Sequence, residues 1–230
     1  MSKAIVFDVD ETIGSFTQLF ILWKIINKYF EKNNIYNNLI NTQFLFNLLL
    51  DNFPLFLRSN IVDIFQYILK EKQQNKIEKV ILYTNNQISK EWINYIVKYI
   101  EYKLDDKIFD VIICSYKINN QIIEPERTTY EKTYMDLIKI SNLTNYKICF
   151  VDDLIHKKMI HPCIYYILVP AYFYYYSLNN FLEIFCNLID INNVHFTEYI
   201  NKSYKKIFFE KKINISSNDL FTKIKYFTNA

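Results

Sequence analysis

Apolar residues recur along this chain at two spacings, and the change from one to the other marks its elements. Ala4-Ile5-Val6-Phe7 is a short unbroken apolar run that leads straight into Asp8 and Asp10. A run of this length, rich in β-branched residues, predicts a strand buried on both faces, as in parallel sheets. Val80-Ile81-Leu82-Tyr83, Phe109-Asp110-Val111-Ile112-Ile113-Cys114, Ile148-Cys149-Phe150-Val151 and the stretch from Cys163 to Val169 repeat the pattern and predict further strands. Between them the apolar spacing becomes helical. Leu19, Phe20, Trp23, Ile26 and Phe30, then Phe44, Leu45, Leu48 and Leu49, predict two amphipathic helices, the second ended by Pro54. Ile61, Ile64, Phe65, Ile68 and Leu69 predict another, with Ser59 or Asn60 as its N-cap.

Helices are also expected over 88–102, 126–140 and 177–189, around Ile200, Tyr204, Ile207 and Phe208, and around Leu220, Ile224 and Phe227. Asn119-Asn120, between short apolar segments, predicts a hairpin. Strands alternating with helices imply an α/β fold around a parallel sheet of about five strands. Gly14 is the single glycine, and its place just after the first strand predicts a turn that uses positive φ.

At 230 residues, with 51% hydrophobic and 18% aromatic residues, the chain can bury a substantial core and is not of disordered composition. The net charge of +3 is too small to imply a polyanionic partner. The excess lies in the tail, where 195–230 holds seven Lys against three acidic residues. Cys114, Cys149, Cys163 and Cys186 form no Cys-x-x-Cys pair, which points to reduced thiols in an intracellular, cytoplasmic protein. Lys24 and Pro170 interrupt the longest apolar runs, so no membrane span is expected. His156, His161 and Cys163 lack a fourth ligand at a zinc-like spacing.

The chemistry-bearing residues gather at predicted strand ends, where parallel sheets bind ligands. On an extended strand Asp8 and Asp10 would point the same way, and two such carboxylates are costly to hold together unless a cation or a proton relieves them. The second strand ends in Thr84 and Asn85, a hydroxyl and an amide before a helix start, which suits an anion. The last long strand delivers Asp152 and Asp153. Lys132 falls in the first turn of the helix expected before it, with Lys139 and Arg127 as alternatives.

Four hydrophobics followed by Asp-x-Asp-x-Thr, then Thr84, Lys132 and Asp152-Asp153 in this order, resemble the four motifs of the haloacid dehalogenase (HAD) superfamily over about residues 3–170. Asp8-Val9-Asp10-Glu11-Thr12 and Leu57-Arg58-Ser59-Asn60-Ile61 look most like the branch of NLI-interacting-factor-like and carboxyl-terminal-domain phosphatases. That branch commonly has Leu, Pro-Gly and Asp-Asn where this chain has Val9, Ser59-Asn60 and Asp152-Asp153.

The resemblance implies a Rossmann-like, HAD-like core of 1–14 and 58–190, a cap-like helical insertion over 15–57, and a basic helical extension over 191–230. The alternative for 15–57 is a pair of helices packed on the core or in a dimer contact. It further implies a Mg²⁺-dependent phosphatase acting on a phosphorylated substrate, a phosphoprotein or a small metabolite. Asp8 would be the nucleophile and Asp10 the general acid and base. Thr84, Asn85 and Lys132 would bind the phosphoryl group. Asp8, the Asp10 backbone carbonyl, Asp152 and Asp153 would hold the metal. Two alternatives stand beside this: a nucleotide or nucleic-acid-end phosphatase, which the basic tail mildly favours, and a catalytically silent interaction module. In Tyr204-Lys205-Lys206-Ile207-Phe208-Phe209 the lysines and apolar residues fall on different helical faces, so a nucleic-acid partner is not favoured. The oligomeric state is left open.

Overall fold

The computed structural model describes residues 1–35, 42–189, 194–204 and 219–230. In chain order the elements are β1 (Ser2–Phe7), α1 (Thr17–Lys32), α2 (Thr42–Asn52), α3 (Ile61–Gln73), β2 (Lys79–Tyr83), α4 (Lys90–Leu104), β3 (Val111–Ile113), β4 (Lys117–Ile118), β5 (Gln121–Ile122), α5 (Tyr134–Ser141), β6 (Tyr146–Asp152), β7 (Ile164–Leu168), α6 (Leu178–Leu188), α7 (Val194–Tyr204) and α8 (Leu220–Asn229). The expected α/β architecture is present. Five strands form one parallel sheet in the order β3-β2-β1-β6-β7, flanked by helices and consistent with a Rossmann-like fold. The apolar runs are buried on both faces: Ala4, Ile5, Val6 and Phe7 are fully buried, as are Ile148, Cys149, Phe150 and Val151.

The chain divides into two compact units, and the division differs from the expected boundaries. The first contains 1–13, 58–172 and 219–230, and so holds the whole sheet with α3, α4, α5 and α8. The last helix therefore belongs with the core and not with a separate extension. Its apolar stripe accounts for this. Phe227 stacks on Tyr165 of β7, Phe221 meets Tyr67 of α3, and the Lys3 ammonium donates to the Thr228 carbonyl at 2.9 Å.

The second unit contains 14–35, 42–57, 173–189 and 194–204. Here α6, assigned in the sequence reading to the core, joins the helices of the insertion through aromatic packing. Phe181 stacks on Phe53 at 4.5 Å, and Phe185 stacks on Phe196 of α7. The buried Gln18 amide ties the segments together, donating to the Tyr176 carbonyl and the Tyr204 hydroxyl and accepting from the Tyr176 N–H. The stretch Lys205–Phe209, with Ile207 and Phe208 of the expected helix, lies outside the described residues.

Several local details depart from expectation. Gly14 does not use positive φ; that conformation falls on Glu11, with φ 57°. What Gly14 supplies is room, because a Cβ there would lie 2.4 Å from the Phe56 carbonyl oxygen. Asn60 occupies the N-cap position of α3 with φ 62° but makes no side-chain cap bond. Asn119 and Asn120 both have positive φ and turn β4 back into antiparallel β5, as the dipeptide predicted. No described helix is long and apolar enough to cross a membrane. Cys114 and Cys149 are buried free thiols.

Candidate active site

The register of the sheet determines which side chains meet. β1 and β6 are parallel neighbours with Phe7 opposite Val151, and the Asp8 N–H continues the ladder by donating to the Val151 carbonyl at 2.9 Å. Asp8 and Asp152 thus leave adjacent strands at one level. Oxygens of Asp8, Asp152 and Asp153 all lie within 4.8 Å of one another. Asp8 and Asp152 are buried, 7% and 1% exposed.

Lys132 supplies the cation of this cluster from the segment just before α5. Its ammonium, on a side chain 2% exposed, donates to Asp8 and, at 2.7 Å, to Asp152. The helix expected to carry it in its first turn begins later: α5 starts at Tyr134, with Thr133 as the cap accepting from the Asp136 N–H. Lys132 therefore stands on a loop just before a helix cap. This frees its side chain from the direction a helical backbone would impose.

Asp10 is not one of the three clustered carboxylates. Its Oδ2 accepts from the Asn86 side-chain amide at 2.8 Å, which links the turn after β1 to the turn after β2. Thr84 directly follows β2, and its hydroxyl accepts from the Asn86 N–H at 3.0 Å. It does not cap α4, a role taken by Ser89, which accepts from the Trp92 N–H. Asn85 accepts from Arg127 at 2.8 Å.

Charge is distributed unevenly among the carboxylates. Burial pushes Asp8 up to about 8; Lys132 pulls it back, while Asp152 and Asp10 add to the rise. Burial also raises Asp10, against the Asn86 hydrogen bond, and raises Asp153, with Asp152 contributing. Asp152 moves the other way. Its burial is outweighed by His156, whose Nε2 is 3.3 Å away, by Lys132, and by the Leu154 N–H donating at 2.9 Å. For Lys132 burial opposes the charge, but Asp8 and Asp152 outweigh it and raise the ammonium. Asp152 is therefore the anchored anion, and Asp8 carries the cost of burial, with its neighbouring carboxylates adding to it.

Three hard oxygen donors on a buried, under-neutralised cluster suit a divalent cation such as Mg²⁺. His156, His161 and Cys163 do not form such a cluster among the described residues. His161 instead stacks on Tyr134 at 3.8 Å.

The sequence reading left several site residues without a role. Thr12 lies inside the first motif, and its hydroxyl donates to Asp153 at 3.2 Å while accepting from the Asp153 N–H at 3.1 Å. Arg58 donates to the Thr12, Glu11 and Pro170 carbonyls and so holds the turn after β1. Asn86 directly follows the predicted site residue Asn85, and His156 lies three residues after Asp153, a proximity that could have flagged them. Comparison with protein-family models, with curated proteins and with solved structures finds no match to this chain.

Proposed function

We propose that the chain is a Mg²⁺-dependent phosphatase working through an aspartyl-phosphate on Asp8, as its resemblance to HAD phosphatases implies. The observation that carries the reading is the meeting of Asp8, Asp152 and Asp153 within 4.8 Å beside the Lys132 ammonium. Such a buried cluster is costly and serves poorly as scaffold.

Asp8, Asp152 and Asp153 would hold the cation, with the Asp10 backbone carbonyl. A bound Mg²⁺ would offset the repulsion between a carboxylate nucleophile and an incoming phosphate. An Asp8 oxygen then attacks phosphorus as the ester P–O bond breaks, and Asp10 gives its proton to the leaving oxygen. The upward shift of Asp10 suits it to hold that proton beforehand. Asp10, now a carboxylate, takes a proton from water as the water oxygen attacks phosphorus. The bond to Asp8 breaks, inorganic phosphate leaves, and Asp8 and Asp10 return to their starting states. Lys132, Thr84 and Asn85 would hold the non-bridging oxygens, where charge collects in the transition state.

The test is an assay against phosphoproteins, nucleotides, sugar phosphates and end-phosphorylated DNA, with and without Mg²⁺, alongside Asp8→Asn. Turnover that needs Mg²⁺ and falls at least about 10⁴-fold in the folded variant is expected. Undiminished turnover by Asp8→Asn, or none by the wild type on any class, overturns the reading.

A further inference from the structure

Lys132 lies on a loop, yet it must reach two carboxylates on the neighbouring strands, so something other than a helix has to fix it. Arg127 is 2% exposed, and the side-chain hydrogen bonds it makes go to groups other than the clustered carboxylates. Its Nη1 donates to the Thr84 carbonyl at 3.2 Å and the Cys114 carbonyl at 2.8 Å, just past the ends of β2 and β3. Its Nη2 donates to Asn85 Oδ1 at 2.8 Å and to the Tyr130 and Glu131 carbonyls, both at 3.1 Å. One planar fork thus fastens the residues just before Lys132 to the turn that carries Thr84 and Asn85.

Tyr83 supplies the second fastening. It is fully buried at the end of β2, and its hydroxyl accepts from the Thr133 N–H at 3.0 Å, just after Lys132. Its ring lies under both cations, 4.9 Å from the Arg127 guanidinium and 5.9 Å from the Lys132 ammonium. Lys132 is therefore pinned on both sides of its own Cα, from Tyr130 and Glu131 before it and from Thr133 after it.

We propose that Arg127 and Tyr83 form a bracket that positions the Lys132 ammonium between Asp8 and Asp152 and sets its spacing from the Thr84–Asn85 turn. Both are positioning residues, acting through the backbone of 130–133. The geometry needs arginine at 127, because a lysine has no rigid fork to reach acceptors on three segments at once. The placement of Lys132 stands on geometry alone, and only its effect on turnover rests on the phosphatase reading.

The test uses Arg127→Lys and Tyr83→Phe in the full chain and is read first without substrate. With isotopically labelled lysine, the Lys132 ammonium resonance is identified by its loss in Lys132→Met. In the wild type it should be distinct and slow to exchange. In both variants, still melting cooperatively, it should shift to the position of exposed lysines. An unchanged resonance in a folded variant overturns the bracket. Should Arg127→Lys fail to fold, Tyr83→Phe decides, since it keeps the ring and removes only the hydroxyl acceptor.

The second arm is turnover. Arg127→Lys should lower kcat about 100-fold, the scale of a misplacement of about an ångström, while KM changes less than about threefold. Half-saturating Mg²⁺ should move by less than about tenfold, because Arg127 bonds none of the expected ligands and reaches Asp8 and Asp152 only through Lys132. A loss of Mg²⁺ affinity as large as the loss of kcat would mean general collapse of the site and overturn a positioning role. A displaced Lys132 resonance in a chain whose wild type hydrolyses no phosphomonoester would retain the bracket and remove the phosphatase reading.

Discussion

The two sides of the candidate site are built on different principles. The carboxylate side comes from strands: Asp8 directly follows β1, Asp152 closes β6, and the pairing of Phe7 with Val151 brings them level. The cationic side comes from loops: Lys132 precedes α5, and its position depends on Arg127 and Tyr83 reaching across 130–133. A strand end is located by a ladder of backbone bonds, so its side chain is placed once the sheet forms. A loop residue is located by the few groups that fasten it, so single substitutions elsewhere can displace it. The first side is robust in position and costly in charge; the second is cheap in charge and depends on its fastenings.

Removing the cation should have the largest effect on stability. Lys132→Met leaves Asp8 and Asp152 buried without their shared partner, which should cost about 3 to 5 kcal/mol in denaturant unfolding at neutral pH. The loss should shrink at about pH 5, where protonation relieves Asp152, the carboxylate that Lys132 helps hold low. An equal loss at both pH values would mean that packing, and not charge, is what Lys132 supplies.

A pH series without divalent cations should expose the strained side next. Asp8 sits at about 8 in the folded chain against an ordinary value of 3.8, and Asp10 and Asp153 are raised in the same direction. A raised folded value means that the contribution is fully present below the unfolded value and is lost as pH rises through the folded one. Melting temperature should therefore fall between about pH 4 and pH 8, with Asp152 opposing it because that carboxyl is lowered. Mg²⁺ should raise the melting temperature more at about pH 8 than at about pH 5, and Asp8→Asn should flatten the difference. A melting temperature that climbs over this range without cation would contradict the assignment of Asp8 as the strained carboxylate.

The smallest effect should come from Thr12→Val. It removes a hydroxyl that bonds Asp153 in both directions, so a cost of about 1 kcal/mol and a measurable loss of Mg²⁺ affinity are expected. Affinity equal to the wild type would show that Asp153 needs no help to hold its orientation.

The apolar runs at 4–7, 80–83 and 148–151 were legible as strands because a residue buried on both faces leaves no choice of polarity. With them came the carboxylates at their ends, and with the hydroxyl after β2 came the turn of Thr84 and Asn85. Lys132 was legible only as a position in a motif, and its supporting helix starts later than its periodicity implied. Arg127 was a fallback for Lys132 and not a residue with its own task, since its partners at Thr84 and Cys114 lie far from it in sequence. α6 and α8 were recognised as helices, but their apolar stripes did not reveal which unit each would cover.

The sequence by itself determined the elements, the parallel sheet they imply and the acids at its strand ends, because the period and polarity of a segment are local properties of a chain. Tertiary structure alone decided that Asp152 is the anchored anion and Asp8 the strained one, that Thr12 holds Asp153, and that Arg127 and Tyr83 fasten Lys132. Each of these depends on which groups surround a side chain in space, and a buried charge or hydrogen bond takes its energy from those neighbours and not from its place along the chain.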